Sequence, residues 1–185
     1  MQQEFPGKPI FLLGHSMGSF IVRNVLSEYG TDYAGAVIMG TSGKNPLARI
    51  AIPIATVIQW LKGGTYRSRF LKEAGFSGFN DRFPDDPSEN AWITGDKAKR
   101  DRYAADPLCS FTFTVSAYLD LYRMLTAVSS EKWARTLPKE LPILLISGAD
   151  DPLGNYGEGI RQVYKWLESA GMRDVSMELV EKGRH

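Results

Sequence analysis

The chain contains a single cysteine, Cys109, and only two histidines, His15 and His185. One cysteine excludes an internal disulfide and a thiolate-rich metal cluster, and beside Leu108 it reads as a small buried apolar residue. Net charge is +1, with no block of one sign, so the sequence carries no electrostatic footprint for nucleic acid. Long hydrophobic runs are also lacking. The greasiest stretch, Leu47 to Leu61, is 15 residues long, is interrupted by Arg49, Pro53 and Gln59, and is too short to cross a bilayer. Met1-Gln2-Gln3-Glu4 has no basic start and no apolar segment behind it, so no secretory leader is expected and a cytoplasmic location is. Asp81, Asp85 and Asp86 lack the spacing and closing glutamate of a calcium loop and read as a solvated loop. No metal or organic cofactor is implied.

What is present is an ordinary globular composition, 43% hydrophobic and 23% charged over 185 residues, enough for one domain with a real core. Its most informative segment is Gly14-His15-Ser16-Met17-Gly18, directly after the apolar run Pro9 to Leu13. An apolar strand, a sharp glycine-flanked turn carrying serine and a following helix form the context of a nucleophile elbow. Phe20, Ile21 and Val25 are expected on one side of that helix, with Gly30 ending it.

Further strands are expected at Gly35 to Met39, Pro142 to Ser147 and Val175 to Val180. The first three strands are near-continuous apolar runs, as strands buried on both faces of a parallel sheet are. Ile160, Val163, Tyr164 and Leu167 follow helical spacing before Gly171. Two apolar helical stretches, Ile50-Ile54-Val57-Ile58-Leu61 and Val115-Tyr118-Leu119-Tyr122-Leu125, flank a turn-rich connection from Gly75 to Pro87. The pattern gives an α/β chain with a helical insertion over the carboxyl ends of the strands, where open α/β sheets bind ligands. The boundaries expected are 1–43 for the core with the elbow, 44–130 for a helical cap or lid, and 131–185 for the returning core. Ile50 to Leu61, with Trp60, either packs on the core or lines an acyl pocket and touches a lipid surface.

A serine hydroxyl needs a base, and the base needs an orienting acid. His15 is adjacent to Ser16 in the tight turn and should point away from it, which leaves His185, in a short loop after the last strand. The acid is expected after the strand Pro142 to Ser147, where Gly148-Ala149-Asp150-Asp151-Pro152 offers Asp150 and Asp151, with Asp151 favoured.

Gly14-His15-Ser16-Met17-Gly18, Gly148-Ala149-Asp150-Asp151-Pro152 and Gly183-Arg184-His185, in that order, resemble the α/β-hydrolase superfamily. The likeness is to its capped serine hydrolases of the monoacylglycerol lipase, lysophospholipase and serine aminopeptidase-like group. The segment Tyr103 to Tyr118, with Asp106-Pro107 and Phe111-Thr112-Phe113-Thr114, looks like the bacterial members. The resemblance implies the carboxyl-terminal half of a mostly parallel sheet with flanking helices and a helical cap. It makes Ser16 the nucleophile, Asp151 the acid, His185 the base and the Met17 backbone N–H one oxyanion donor.

The family's second donor lies in a loop upstream of the elbow, which is not expected within this chain. Ile10, Phe11 and Leu12 lack the charges that blunt an edge strand, and no helix is expected after Val175 to Val180. The chain therefore reads as part of a longer protein. The function expected is hydrolysis of carboxylic esters, of the monoacylglycerol or lysophospholipid kind, with transient contact between the cap and a membrane surface. The alternatives are an aminopeptidase or amidase with the same triad, or an inactive fragment acting at most as a binding module.

Overall fold

The computed structural model of the chain describes residues 4–109 and 111–185. Met1, Gln2 and Gln3, at the start expected to hold no leader, and Ser110, within the Tyr103 to Tyr118 segment, lie outside the described residues. Four strands, β1 (Phe11–His15), β2 (Gly35–Met39), β3 (Ile143–Gly148) and β4 (Val175–Val180), pair in parallel in their order along the chain. They are the four apolar segments of the sequence, with β1 and β3 shifted by one or two residues toward their carboxyl ends.

Parallel neighbours require crossovers, and helices supply them. Helix α1 (Met17–Tyr29) leads from β1 toward β2, and α7 (Glu158–Ser169) from β3 to β4. Between β2 and β3 lie α2 (Pro46–Lys62), α3 (Arg69–Phe76), α4 (Lys97–Ala105), α5 (Val115–Val128) and α6 (Glu131–Arg135). Side-chain oxygens of Asn45, Ser68, Asp96, Thr114 and Ser130 cap the first turns of these five helices, satisfying amides that have no partner within the helix. Helices α3 and α4 flank a connection that the sequence pattern left as turns. The core joins Phe20 and Leu26 of α1 and Ile38 of β2 to Leu145 of β3, Leu119 of α5 and Val163 of α7. The α5 stripe expected from the sequence, Val115, Tyr118, Leu119, Tyr122 and Leu125, is wholly buried. Of the α7 stripe, Ile160, Val163 and Leu167 are buried and Tyr164 partly so.

Three expectations are corrected, for α1, β1 and Cys109, and one alternative is narrowed, for α2. In α1 the buried face is Ser19, Phe20, Val22, Arg23 and Leu26, while Ile21 is exposed. Strand β1 is not buried on both faces. Phe11 and Leu13 are 64% and 66% exposed, because α1 packs on the side of Leu12 and Gly14 and, among the described residues, no helix packs on the opposite face of β1. In α2 most of the large apolar residues are not the packed ones. Its contact with α5 leaves room on the inner face mostly for Ala48, Ala51, Ile52, Ala55 and Ile58, and turns Ile50, Ile54, Val57, Trp60 and Leu61 outward. Cys109 is exposed rather than buried, in the turn after α4.

Arg23 is fully buried in α1 and has no acidic partner among the described residues. Its Nη1 donates to Thr41 Oγ1 (3.1 Å) and to the Ser42 carbonyl (2.8 Å), and its Nη2 donates to the Val128 carbonyl at the end of α5. The guanidinium lies 4.4 Å from the centre of the Trp133 ring, whose indole N–H donates back to the Arg23 carbonyl at 2.7 Å. Burial pushes Arg23 down to about 9, and the three acceptors and the ring face compensate a charge that arginine keeps at neutral pH. One side chain thus ties the elbow helix to the loop after β2 and to α5. Arg23→Ala, which leaves those acceptors unpaired beside a cavity, is expected to cost about 3–5 kcal/mol of stability, measured by urea denaturation.

Candidate active site

The elbow follows from local chemistry. Strand β1 ends at His15, α1 begins at Met17, and Ser16 alone makes the turn, at φ 55° and ψ −124°. A side chain there is strained and has to be held by its surroundings. The Ser16 N–H donates to the Met39 carbonyl at 3.1 Å, prolonging the β1–β2 ladder into the turn. The Ser16 carbonyl accepts from both the N–H (2.9 Å) and the hydroxyl (2.6 Å) of Ser19, which starts the helix. Gly14 must lack a side chain, since a Cβ there would stand 2.2 Å from the Gly18 carbonyl oxygen. Its absence lets the first turn of α1 settle onto β1. Met17 is the first helical residue, so its N–H has no partner within the helix.

The carboxyl end of β3 supplies the acid. Asp151 is fully buried. Its Oδ1 accepts the Leu153 N–H at 2.9 Å, and its Oδ2 lies 3.3 Å from Ser147 Oγ and 2.8 Å from His185 Nδ1. Asp150 instead donates its backbone N–H to the Gly183 carbonyl at 2.8 Å. Of the two aspartates left open by the sequence, the one that meets a histidine is Asp151. Gly148 makes the meeting possible: a Cβ there would lie 2.1 Å from the carbonyl oxygens of both Gly183 and Arg184. The loop after β4 therefore rests directly on the end of β3, and its last residue reaches the acid.

The His185 side chain is nearly sealed from solvent. With Nδ1–H donating to Asp151, Nε2 keeps a lone pair, and this atom is buried without a hydrogen-bond partner among the described residues. The Ser16 hydroxyl is thus not bonded to it here. Such bonds are often long before substrate binds and tighten in the complex. The rings of His15 and Trp92 flank His185, with centres 4.6 and 5.0 Å away, and the His185 N–H donates to the Trp92 carbonyl at 3.1 Å.

Sequence reasoning missed Ser147, Trp92 and the packing of the His15 ring against His185, because no motif fixes these contacts. It also misplaced Asp86. Asp81 and Asp85 are exposed, but the Asp86 side chain is only 15% exposed and is gripped by Arg100 (2.6 Å) and Arg184 (3.2 Å). Among the described residues, no three His, Cys, Asp or Glu side chains gather as a metal site, and no helix is long and apolar enough to cross a membrane.

Comparison with known proteins identifies the family and the fold. The family described as Serine aminopeptidase, S33, matches residues 1–185. Monoglyceride lipase of Homo sapiens is 29% identical over 187 residues, covering all of this chain and 54% of the relative; that of Mus musculus is 24% identical over the same shares. The chain spans about half the length of these curated relatives. Among solved structures, a highly thermostable carboxyl esterase from Bacillus coagulans in complex with glycerol superimposes with a TM-score of 0.92 and 30% identity, over all of this chain and 60% of that one. A soluble variant of monoglyceride lipase from Saccharomyces cerevisiae, in complex with a substrate analog, has a TM-score of 0.67 and 19% identity, over all of this chain and 56% of that one. The fold is the α/β-hydrolase fold.

Burial first, then the charge of His185, hold His15 below the ordinary 6.5, against the opposing pull of Asp151. His15 is exposed to solvent, so both the burial effect and the charge of His185 are screened and the shift is modest. The folded chain binds this proton less tightly than the unfolded chain. The penalty is absent above a pH of about 6.5 and grows as pH falls toward the lowered folded value. Melting temperature is expected to drop between pH 7.5 and 5, and to drop less in His15→Asn, as followed by circular dichroism.

Proposed function

The chain belongs to the family described as Serine aminopeptidase, S33, and from that premise we propose that it hydrolyses carboxylic esters through an acyl-enzyme on Ser16. The observation that carries this is the 2.8 Å bond between Asp151 and His185, which leaves a buried, unpartnered Nε2 at the same end of the sheet as the strained Ser16. In the proposed reaction Ser16 Oγ attacks the acyl carbon while His185 Nε2 takes its proton, and Asp151 steadies the resulting imidazolium. The Met17 N–H donates to the developing oxyanion. His185 then protonates the leaving alcohol, and in the second half it activates the water that releases the acid and frees Ser16. Residues 44–130 would form the cap over this site.

The substrates proposed are monoacylglycerol or lysophospholipid-type esters. The names of the relatives, monoglyceride lipase in two mammals and a carboxyl esterase in Bacillus coagulans, support this class. The family's description keeps a second reading in view, an aminopeptidase using the same three side chains. Its substrate would bring an α-ammonium group that needs an unengaged carboxylate near Ser16, and Asp86 and Asp151 are both taken by cations or ring nitrogens.

The outer face of α2 supports the lipid reading further. Ile50 is 59% and Trp60 83% exposed, with Ile54, Val57 and Leu61 beside them. The only charges on this helix are the cations Arg49 and Lys62. An apolar face with a cationic margin suits an anionic lipid surface.

A fluorophosphonate probe is expected to label wild-type protein at Ser16. Ser16→Ala should remain unlabelled and lose activity by about 10⁴-fold or more. Nitrophenyl esters should be turned over in preference to aminoacyl-nitroanilides, and the reverse order would favour the aminopeptidase. In flotation with vesicles containing anionic phospholipid, the protein is expected to rise with the lipid, and Trp60→Ser to reduce the bound fraction severalfold. No association in either case removes the membrane role.

A further inference from the structure

The acid fixes the ring of His185, but its backbone is fixed from elsewhere. Several contacts run from the segment between α3 and α4 to Arg184 and His185. The Trp92 carbonyl accepts the His185 N–H at 3.1 Å. The Ala91 carbonyl accepts from Arg184 Nη1 at 2.6 Å, and Asp86 Oδ2 lies 3.2 Å from the same nitrogen. The Arg184 guanidinium also stacks over Phe83, 4.0 Å from the ring centre. The segment is itself braced. Asn80 accepts the Trp92 N–H at 2.9 Å and donates to the Ser88 and Glu89 carbonyls. Arg100 of α4 donates to the Thr94 carbonyl at 2.8 Å and meets Asp86 Oδ2 at 2.6 Å.

Asp86 is the only anion among these contacts, and two arginines converge on one of its oxygens. Burial would raise its carboxyl. The hydrogen bond from Arg184, the Ser88 N–H and the charges of Arg100 and Arg184 outweigh that and hold it below the ordinary carboxylate value. Without the carboxylate, two largely buried guanidinium groups would face each other unscreened by an anion. Arg184 would be expelled, and His185 is its next residue.

We propose that Asp86 is a positioning residue for His185, holding the backbone of the base through Arg184 while Asp151 holds its ring. The insertion between β2 and β3 thereby takes part in assembling the site rather than only covering it. This role presupposes Ser16 and His185 as nucleophile and base. Asp86 touches neither the reacting atoms nor His185 itself, so it acts through Arg184 and through the braced segment whose Trp92 carbonyl holds the His185 N–H.

The test uses the protein as its gene encodes it, with Asp86→Asn, Asp86→Glu and Arg184→Gln beside wild type. Arg184→Gln keeps the Asp86–Arg100 pair that braces the insertion, so it addresses the link to His185 even if Asp86→Asn folds poorly. Each is followed by melting temperature, by the rate of fluorophosphonate labelling at Ser16, and by the downfield proton resonance of the His185 Nδ1–H bonded to Asp151. In folded Asp86→Asn and Arg184→Gln, labelling is expected to slow by about 10–100-fold, the cost of misplacing a reacting group by a fraction of an ångström to one ångström. The resonance should shift or broaden, and Asp86→Glu should restore part of the rate. A merely structural role would lower the melting temperature but leave the rate within twofold and the resonance unmoved, and that result would overturn the proposal. If wild type itself is not labelled, the failure belongs to the assignment of Ser16 and not to Asp86.

Discussion

A carboxylate sealed away from water must find donors, and Asp151 finds its principal one in the imidazole of His185. That bond joins the ends of two neighbouring strands that are only loosely connected along the chain. It exists because β3 and β4 run parallel and in register up to Gly148 and Val180, so that their following loops leave the sheet side by side. It also requires Gly148, whose bare Cα lets the Gly183–Arg184 backbone lie on the turn beneath. Ser147 and the Leu153 N–H also donate to Asp151. The imidazole is thereby left with one ring nitrogen committed and the other free, which is the condition a general base must meet.

The insertion between β2 and β3 contributes in two opposite directions. Helix α5 turns its large residues inward, against α1 and α2, and becomes part of the core. Helix α2 packs against α5 on a face made mostly of alanine, and its bulkier aliphatic residues face outward. Small residues at the contact let two helices approach closely, and the larger ones are then surplus to the core. The same insertion sends its middle segment down onto the loops after β3 and β4, where Arg82 stacks 3.4 Å over Tyr156 and Phe83 lies under Arg184. Core, outer surface and the wall of the site are thus built from one continuous stretch.

How much of this was legible in the sequence depends on whether the determining interaction is local. Strands β1 to β4 were visible because runs such as Pro142 to Ser147 are too short and too apolar for anything but a buried strand. The elbow was visible because glycine and serine at fixed spacing report a backbone turn directly. The buried faces of α5 and α7 followed from their own periodicity. By contrast, the outward face of α2 was not legible, since Ile50 and Ala48 differ only in what lies across from them. Nor was the exposure of Ile21, which depends on where α1 meets its neighbours. Asp86 and Asp85 are adjacent and chemically identical in sequence. Only arginines 14 and 98 residues further along the chain, at 100 and 184, distinguish them.

Local strain marks the same end of the molecule. Among the described residues, the non-glycine positions with positive φ are Ser16, Asn155, Tyr156 and Lys182. Ser16 follows β1, Asn155 and Tyr156 follow β3, and Lys182 follows β4. Each costs conformational energy that an isolated loop would relieve by relaxing. They persist because their surroundings are over-determined: Gly14 and the Met39 carbonyl lock the first turn, the Asp151 carbonyl accepts the Tyr156 N–H at 2.9 Å, and the Gly183 N–H closes the last turn onto Val180. Strands β1, β3 and β4 and helices α1 and α7 supply the rigid frame in which such strain can be stored. A sheet whose buried positions obey every local rule, and whose carboxyl-end loops break several at once, has its departures where three chain segments must converge.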